Sequence, residues 1–303
     1  MKHTVVFPLV HHPINPDLIT GDAMTRFVQT AERVGFDGIA LTDHPAPSHK
    51  WLKAGGHDAL DPFAVLSFVA AVTERVLLIP HVLVLPYRNP FVVAKAAATI
   101  DVLSGGRFVL SVATGYLRSE YRALGVDFEQ RNELFDEALD VLRGVWSTDE
   151  FSYEASGFVA DRVTVNPKPR HVPIWIGGNS ALTRRRVARY GDGWNPFLAS
   201  GPLAQTARTQ PLENLDDLAR MLDDLWRHVE AAGRDPKAID VQFGTGLPGP
   251  GDDRFSADAH LANLRDMAAL GVTWNCVGVP GASLDRALDA MEQYGTEVIA
   301  RDR

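Results

Sequence analysis

Two hydrophobic periods alternate along this chain eight times, a rhythm that few folds can accommodate. Short β-branched runs, suited to buried strands, are each followed by a longer stretch with apolar residues three and four apart, the period of a helix with one buried face. Strands are expected at Thr4–Val10, Asp37–Thr42, Val76–Leu83, Arg107–Ala113, Pro173–Ile176, Gly193–Phe197, Ile239–Phe243 and Val272–Val277. Helices are expected at Ala23–Val34, Pro62–Thr73, Pro90–Leu103, Arg131–Trp146, Ala181–Tyr190, Leu212–Ala232, Ala257–Leu270 and Leu284–Ile299. Gly35 suits a helix C-cap, and Asp61 before Pro62 suits an N-cap followed by a first-turn proline. Leu134, Ala138, Val141, Leu142 and Val145 form one apolar face.

Strands separated by helices pair in parallel, because a parallel partner needs a crossover connection. Eight such units in 303 residues fit a closed (β/α)₈ TIM barrel, read as one domain over 1–303. One stretch breaks the rhythm. Phe151–Val165 has β-type flanks around the turn residues Ser156–Gly157, which predicts a β-hairpin inserted before strand 5, about residues 150–166.

Composition narrows the function classes. Thirty Lys and Arg against 38 Asp and Glu give a net charge of −8, and no dense basic stripe offsets it, so nucleic acid is not an expected partner. No apolar run approaches the roughly 20 residues of a membrane span, and Thr4–Val10, interrupted by Pro8, is too short and broken for a signal peptide. The single cysteine, Cys276, excludes a disulfide framework and reads as inert packing. A cytoplasmic protein acting on a small-molecule substrate is expected.

Barrel chemistry gathers where the strands end and the βα loops begin. Those ends carry His11 and His12, Asp43 and His44, His81, Thr114, Gly115 and Tyr116, Gly177, Gly178 and Asn179, and Asn195. A histidine beside a carboxylate can transfer protons, so Asp43–His44 is the sharpest pair, although Asp43 can equally cap a turn. His11 and His12 are adjacent on a strand and point to opposite faces, so one metal ion cannot readily take both; no metal site is expected. Pro80 in Ile79–Pro80–His81–Val82 implies either an irregular strand or one that begins after it. Gly177–Gly178–Asn179–Ser180 precedes a helix and suits either an anion cradle of backbone N–H groups or a tight turn capped by Ser180. Arg184, Arg185 and Arg186 can assist an anion or form a solvated face.

Other motifs lead elsewhere. Gly244–Thr245–Gly246–Leu247–Pro248–Gly249 matches a dinucleotide-binding pattern, but Pro248 and Pro250 deny it the helix that pattern requires. No nucleophile elbow or phosphate-binding Gly-Lys-Ser/Thr loop is present. Trp51, Tyr87, Tyr116, Trp175 and Trp194 read as core residues.

Three blocks together carry a resemblance. Ala31–Asp37 with Asp43–His44, then Leu103–Arg107 with Ala113–Tyr116 and Glu120, then Pro173–Ser180 with Gly191–Trp194, are similar to the bacterial luciferase-like flavin and deazaflavin oxidoreductases. The Asp-His pair and Asn89–Pro90 resemble its coenzyme F420-dependent branch. The resemblance implies a barrel with an insertion before strand 5, coenzyme F420 or alternatively FMN as cofactor, and a homodimer built on barrel helices. It implies a non-proline cis peptide at His81–Val82 behind the cofactor ring. It places His44 near the reactive ring face and Asp43 near the ring's polar edge, with Thr114, Gly115 and Tyr116 along the ring or its side chain. Gly177, Gly178, Asn179 and Ser180 would offer amides to the cofactor phosphate. Tyr116 departs from the acid that some members carry there, which leaves Tyr116 and Glu120 as alternative proton donors. Arg88, Arg118 and Arg122 are candidates for the cationic patch an anionic cofactor needs. The expected activity is hydride transfer between F420 and a small organic substrate. FMN-dependent monooxygenation and a noncatalytic flavin or deazaflavin carrier are the alternatives.

Overall fold

A computed structural model describes residues 1–9 and 11–303. The strands are β1 Lys2–Val6, β2 Gly38–Leu41, β3 Leu77–Pro80, β4 Leu83–Val84, β5 Leu110–Ala113, β6 Phe151–Glu154, β7 Val159–Val163, β8 Ile174–Gly177, β9 Gly193–Asn195, β10 Asp240–Phe243 and β11 Trp274–Gly278. Nine of them form one sheet in the order β3-β2-β1-β11-β10-β9-β8-β5-β4, and every pairing in it is parallel. The sheet closes where Leu78 bridges to Phe108; the Leu78 N–H donates to the Arg107 carbonyl at 2.9 Å, and the Val109 N–H to the Leu78 carbonyl at 3.1 Å. β3 and β4 are thus two halves of one stave, and the protein is an eight-stave (β/α)₈ barrel. β6 and β7 pair antiparallel as a separate two-stranded sheet.

The expected strand Val76–Leu83 is corrected to these two pieces. Pro80 ends the pairing with β2, opposite Leu41; the His81–Val82 peptide is cis, and Leu83 resumes pairing opposite Val112 of β5. The first strand ends at Val6 instead of continuing toward Val10, a residue outside those described. Helix ends follow their caps. Gly35 closes Gly21–Val34 at φ 101°, and the Asp61 carboxylate accepts from the Ala64 N–H at 2.9 Å to open Pro62–Val72. Among the described residues, three α-helices absent from the expected pattern lie in the βα loops: His49–Lys53, Arg118–Ala123 and Gly201–Ala207.

Inside the barrel, Ile79, Val109, Trp175 and Trp274 make an apolar plug, with the two indoles edge to face at 5.4 Å. Gly193 permits it, since a Cβ there would lie 2.3 Å from Trp175 Cδ1. The larger apolar layer lies between staves and helices, including Phe27, Leu66, Val93, Phe135, Leu222 and Met291. Of the arginine run, Arg184 pairs with Asp224 at 2.7 Å and Arg186 with Asp136 at 2.6 Å; both are buried, and only Arg185 faces solvent. That run braces neighbouring helices and is not the solvated face expected for it.

Candidate active site

The second and third staves are locked together by Asp43. Its side chain, 2% exposed, accepts two bonds from Arg88, at 2.7 and 2.9 Å, and a third from the Val84 N–H at 2.9 Å. Removing one partner of such a buried pair leaves an uncompensated charge, typically at a cost of about 3–5 kcal/mol. Asp43 thus fixes the backbone just beyond the cis bond, and Arg88 is committed to it rather than free for a ligand. Arg118 is tied to Glu129 at 2.6 Å, and Arg122 is exposed on the same short helix; neither lines the barrel-mouth cavity.

The next residue, His44, points the other way, into the mouth. Its Nδ1 lies 3.2 Å from Oε2 of Glu120, whose side chain has no exposed surface. The same carboxylate accepts from the Tyr87 hydroxyl at 3.0 Å and from the Ala46 N–H at 3.1 Å. Burial, reinforced by the Glu120 charge, pushes the Tyr87 phenol far above its ordinary value, so it remains a donor. With Oε2 accepting at Nδ1, the His44 Nε2 is the nitrogen left for a ligand.

Aromatic groups surround that imidazole: Trp51 at 4.5 Å between ring centroids, His57 at 5.0 Å and Tyr116 at 6.4 Å. His57 was not among the residues expected here. Its Nδ1 donates to the Asp58 carbonyl at 2.9 Å, and burial lowers its pKa, so it is a neutral imidazole whose Nε2 accepts. Burial, with Glu120 adding to it, raises the Tyr116 phenol. The clue to His57 was the long connection between Leu41 and Pro62, which has room for a folded-back loop.

His44, His57 and Tyr116 line one side of a cavity of about 270 Å³ at the C-terminal end of the staves. Val82 presses toward Gly177 at the end of β8, and Val84 toward Gly115 just beyond β5. A Cβ on Gly177 would lie 3.0 Å from Val82 Cγ1, and one on Gly115 only 2.5 Å from Val84 Cγ1, at a φ of 67° that already favours glycine. At the cavity floor, His81 Nδ1 accepts from the Gln242 amide at 3.2 Å, and its Nε2 lies 3.8 Å from Cys276 Sγ. Burial pushes His81 down to about 4 and the Cys276 thiol up to about 12, so both are uncharged at neutral pH. Asn195 donates to Ser111 at 2.6 Å, while its Oδ1 and Gln242 Oε1 are buried acceptors without a partner.

On the far side lies the glycine turn, and here the expected amides need correction. Asn179 is fully buried and turned away from the cavity: its N–H donates to Thr209 Oγ1 at 3.0 Å, and its side-chain amide to the Phe197 and Gln210 carbonyls. The Gly178 N–H is likewise used, on the Asn195 carbonyl at 3.0 Å. Among the described residues, the open N–H groups are those of Ser180, Ala181 and Leu182, at the start of the helix Ala181–Tyr190; the Ser180 hydroxyl caps the Thr183 N–H. Arg208, also unforeseen, lines the same side.

His11 and His12 lie in the loop beyond the first strand, which ends at Val6: His12 pairs with Asp58 at 2.9 Å and His11 is exposed. Among the described residues, no group of three His, Cys, Asp or Glu side chains is placed to hold a metal. The cavity does fit a planar heterocycle carrying a phosphate: an apolar wedge behind it, glycines where a side chain would intrude, an unpartnered acceptor on Asn195 for a ring N–H group, and free amides at a helix N-terminus for the anion.

Residues 1–269 match the family profile described as luciferase-like monooxygenase. Over 194 residues the chain is 34% identical to pyrimidine monooxygenase RutA of Allorhizobium ampelinum, covering 60% of this chain and 51% of that protein. Over 202 residues it is 31% identical to F420-dependent glucose-6-phosphate dehydrogenase of Microbacterium testaceum, covering 64% and 59%. The aligned part is thus a little over half the length of these relatives. The structure of monooxygenase RslO1 from Streptomyces bottropensis superposes with a TM-score of 0.82 over 100% of both chains at 17% identity, which establishes the shared fold.

Proposed function

The chain belongs to the luciferase-like monooxygenase family, and within that family we propose that it is an F420-dependent oxidoreductase moving a hydride between the deazaflavin and a small organic substrate. The observation that carries this reading is the protic cluster at the cavity: His44 backed by buried Glu120, with His57 and Tyr116 beside it. The likeness to F420-dependent glucose-6-phosphate dehydrogenase supports the choice of cofactor. F420, when bound, supplies two-electron hydride chemistry. Ser180, Ala181 and Leu182 N–H groups with Arg208 would hold its phosphate, Val82 would back the ring, and Asn195 would accept from its polar edge.

The chain's own work is proton handling and positioning. As a substrate carbinol is oxidised to a carbonyl, His44 Nε2 takes the hydroxyl proton, and it returns that proton in the reverse direction. Glu120 stabilises the resulting imidazolium, while Tyr87 and the Ala46 N–H keep the carboxylate in place. His57 Nε2 accepts from a second polar group on the substrate, and Tyr116 donates from the same wall of the cavity. Holding the reactants in contact within the barrel supplies an orientation effect of several kcal/mol.

The likeness to RutA supports a second reading, FMN-dependent monooxygenation using the same anion cradle. Anaerobic mixing with oxidised F420 and a panel of small hydroxyl compounds separates the two. A substrate-dependent loss of deazaflavin absorbance, abolished in His44→Ala, is expected. No reduction across the panel, with substrate-dependent oxygen uptake when reduced FMN is supplied, contradicts the proposal.

The chain is further proposed to be a cytoplasmic homodimer, one domain per protomer, with no nucleic-acid partner. No described helix is long and apolar enough to cross a membrane. The helices Pro62–Val72 and Pro90–Ser104 pack together and leave Phe68 39%, Val92 66% and Leu103 75% exposed, which supports association through their outer faces.

A further inference from the structure

Phe128 is a buried ring, 5% exposed, packed edge to face on Tyr121 at 5.1 Å. The Tyr121 hydroxyl donates to the carbonyl of Thr114, a residue of the cavity wall, so this platform is joined directly to the end of β5. Three guanidinium groups surround the ring: Arg131 at 4.0 Å from its centroid, Arg118 at 4.2 Å and Arg208 at 5.1 Å. In a chain of net charge −8, this concentration of like charge runs against the overall balance.

The contacts within the fold offset little of this charge. Arg131 is the first residue of the 17-residue helix Arg131–Ser147, where the positive end of the helix dipole disfavours a cation. Arg208 holds a left-handed backbone, φ 52°, uncommon outside glycine, and is followed by Thr209, which ties the segment to Asn179. The one carboxylate paired with the group is Glu129, on Arg118, and that ion pair is exposed on both sides. Among the described residues, neither Arg131 nor Arg208 has a carboxylate within ion-pairing distance. Burial, with Arg208 and Arg118 adding to it, lowers Arg131, as expected of a cation among cations. Arg131 gives one N–H to the Phe128 carbonyl at 2.9 Å and Arg118 one to Glu129 at 2.6 Å; the remaining N–H groups of the three guanidiniums can bond carboxylate or phosphate oxygens.

We infer that Arg118, Arg131 and Arg208 around Phe128 form a second anion site on the rim of the cavity, which takes an extension carrying two or more carboxylates or phosphates. Arg208 lines the cavity as well as touching this platform, so one ligand can span from the helix terminus at Ser180 to the cluster. The inference rests on the proposed cofactor site only for what reaches it. The occupant is a polyanion, either the carboxylate-bearing tail of the cofactor or an anionic substrate.

The test compares F420 bearing one glutamate with F420 bearing a long oligoglutamate chain, by fluorescence titration of the full-length protein at low and high salt. Tripolyphosphate is added separately to cofactor-free protein while its melting temperature is followed. If the cofactor tail is the occupant, the wild type binds the long-tailed form about tenfold more tightly at low salt, a preference that salt erodes. Arg118→Gln/Arg131→Gln then loses the preference but binds the short-tailed form as before. Tripolyphosphate raises the melting temperature of the wild type and not of this variant. Equal binding of the two tails with the tripolyphosphate shift intact assigns the site to an anionic substrate. Equal binding with no tripolyphosphate shift in the wild type overturns the inference, and that outcome does not depend on the variant folding. Binding of FMN but not F420, with the tripolyphosphate shift present in the wild type and lost in the variant, removes the cofactor proposal and leaves the anion site standing.

Discussion

His44 Nδ1 stands 3.2 Å from a Glu120 carboxylate that no solvent reaches, and the two come from different βα loops, 76 residues apart in sequence. In the proposed mechanism, proton transfer at His44 depends on this carboxylate behind the imidazole. Glu120→Gln should lower kcat about 10²-fold, and His44→Ala by 10²–10⁴-fold, as usual for loss of positioned acid–base groups. Because they act as a unit, the double variant should fall little below His44→Ala alone. Steady-state kinetics on all three, with cofactor affinity measured in parallel, checks this; fully multiplicative losses mean that the two act separately.

The Asp43–Arg88 pair makes a stability prediction instead. Asp43→Ala should destabilise the protein by about 3 kcal/mol, since it leaves Arg88 only the longer pairing with Asp61 at 3.7 Å and frees the Val84 N–H. Asp43→Ala/Arg88→Met should cost less than the two single changes added together. Urea titrations of the four proteins give the coupling, and strict additivity removes Asp43 from its bracing role.

Gly115→Ala places a Cβ 2.5 Å from Val84 Cγ1 at a positive φ. Overpacking and backbone strain of this kind cost about 1–3 kcal/mol. Adding Val84→Ala should recover the steric part and leave roughly 1 kcal/mol for the left-handed backbone. Full recovery in the double variant, or none, contradicts the assigned cause.

Stability should fall on mild acidification. His81 is held near 4 in the folded protein against an ordinary value of 6.5, so between those pH values the unfolded chain binds the additional proton. Stability is fully present above pH 6.5, is lost progressively as the pH falls toward 4, and changes no further on this account below that. The shift corresponds to about 3 kcal/mol at most. His3 and His57 are lowered by burial and act in the same direction. His81→Gln should flatten the profile over this window in chemical denaturation at a series of pH values; an unchanged slope excludes His81 as the source.

The barrel was legible because its information is periodic: each stave and helix buries one face, and burial leaves a spacing in the sequence. Gly35, Asp61 and Ser180 marked helix ends for the same local reason. The site was legible only as a set of strand ends. Asp43 and His44 are adjacent in sequence, and nothing there says that one turns inward to Arg88 while the other meets Glu120. Asn179 looked like part of the anion cradle because the turn points at the helix terminus, but the structure buries it against Thr209 and Phe197 and moves the open amides one or two residues on. His57 and Arg208 depend on how long loops fold back, and loop folding has no period to read. Arg184 and Arg186 looked solvated because their carboxylate partners, Asp224 and Asp136, lie 40 and 50 residues away.

Equilibrium titration of cofactor-free protein with F420 and with FMN is the most direct test of the central claim, that this barrel mouth holds a deazaflavin against His44. F420 should bind with a Kd of about 1 μM, near −8 kcal/mol, and FMN at least about tenfold more weakly. Tight FMN binding with no measurable affinity for F420 would contradict it.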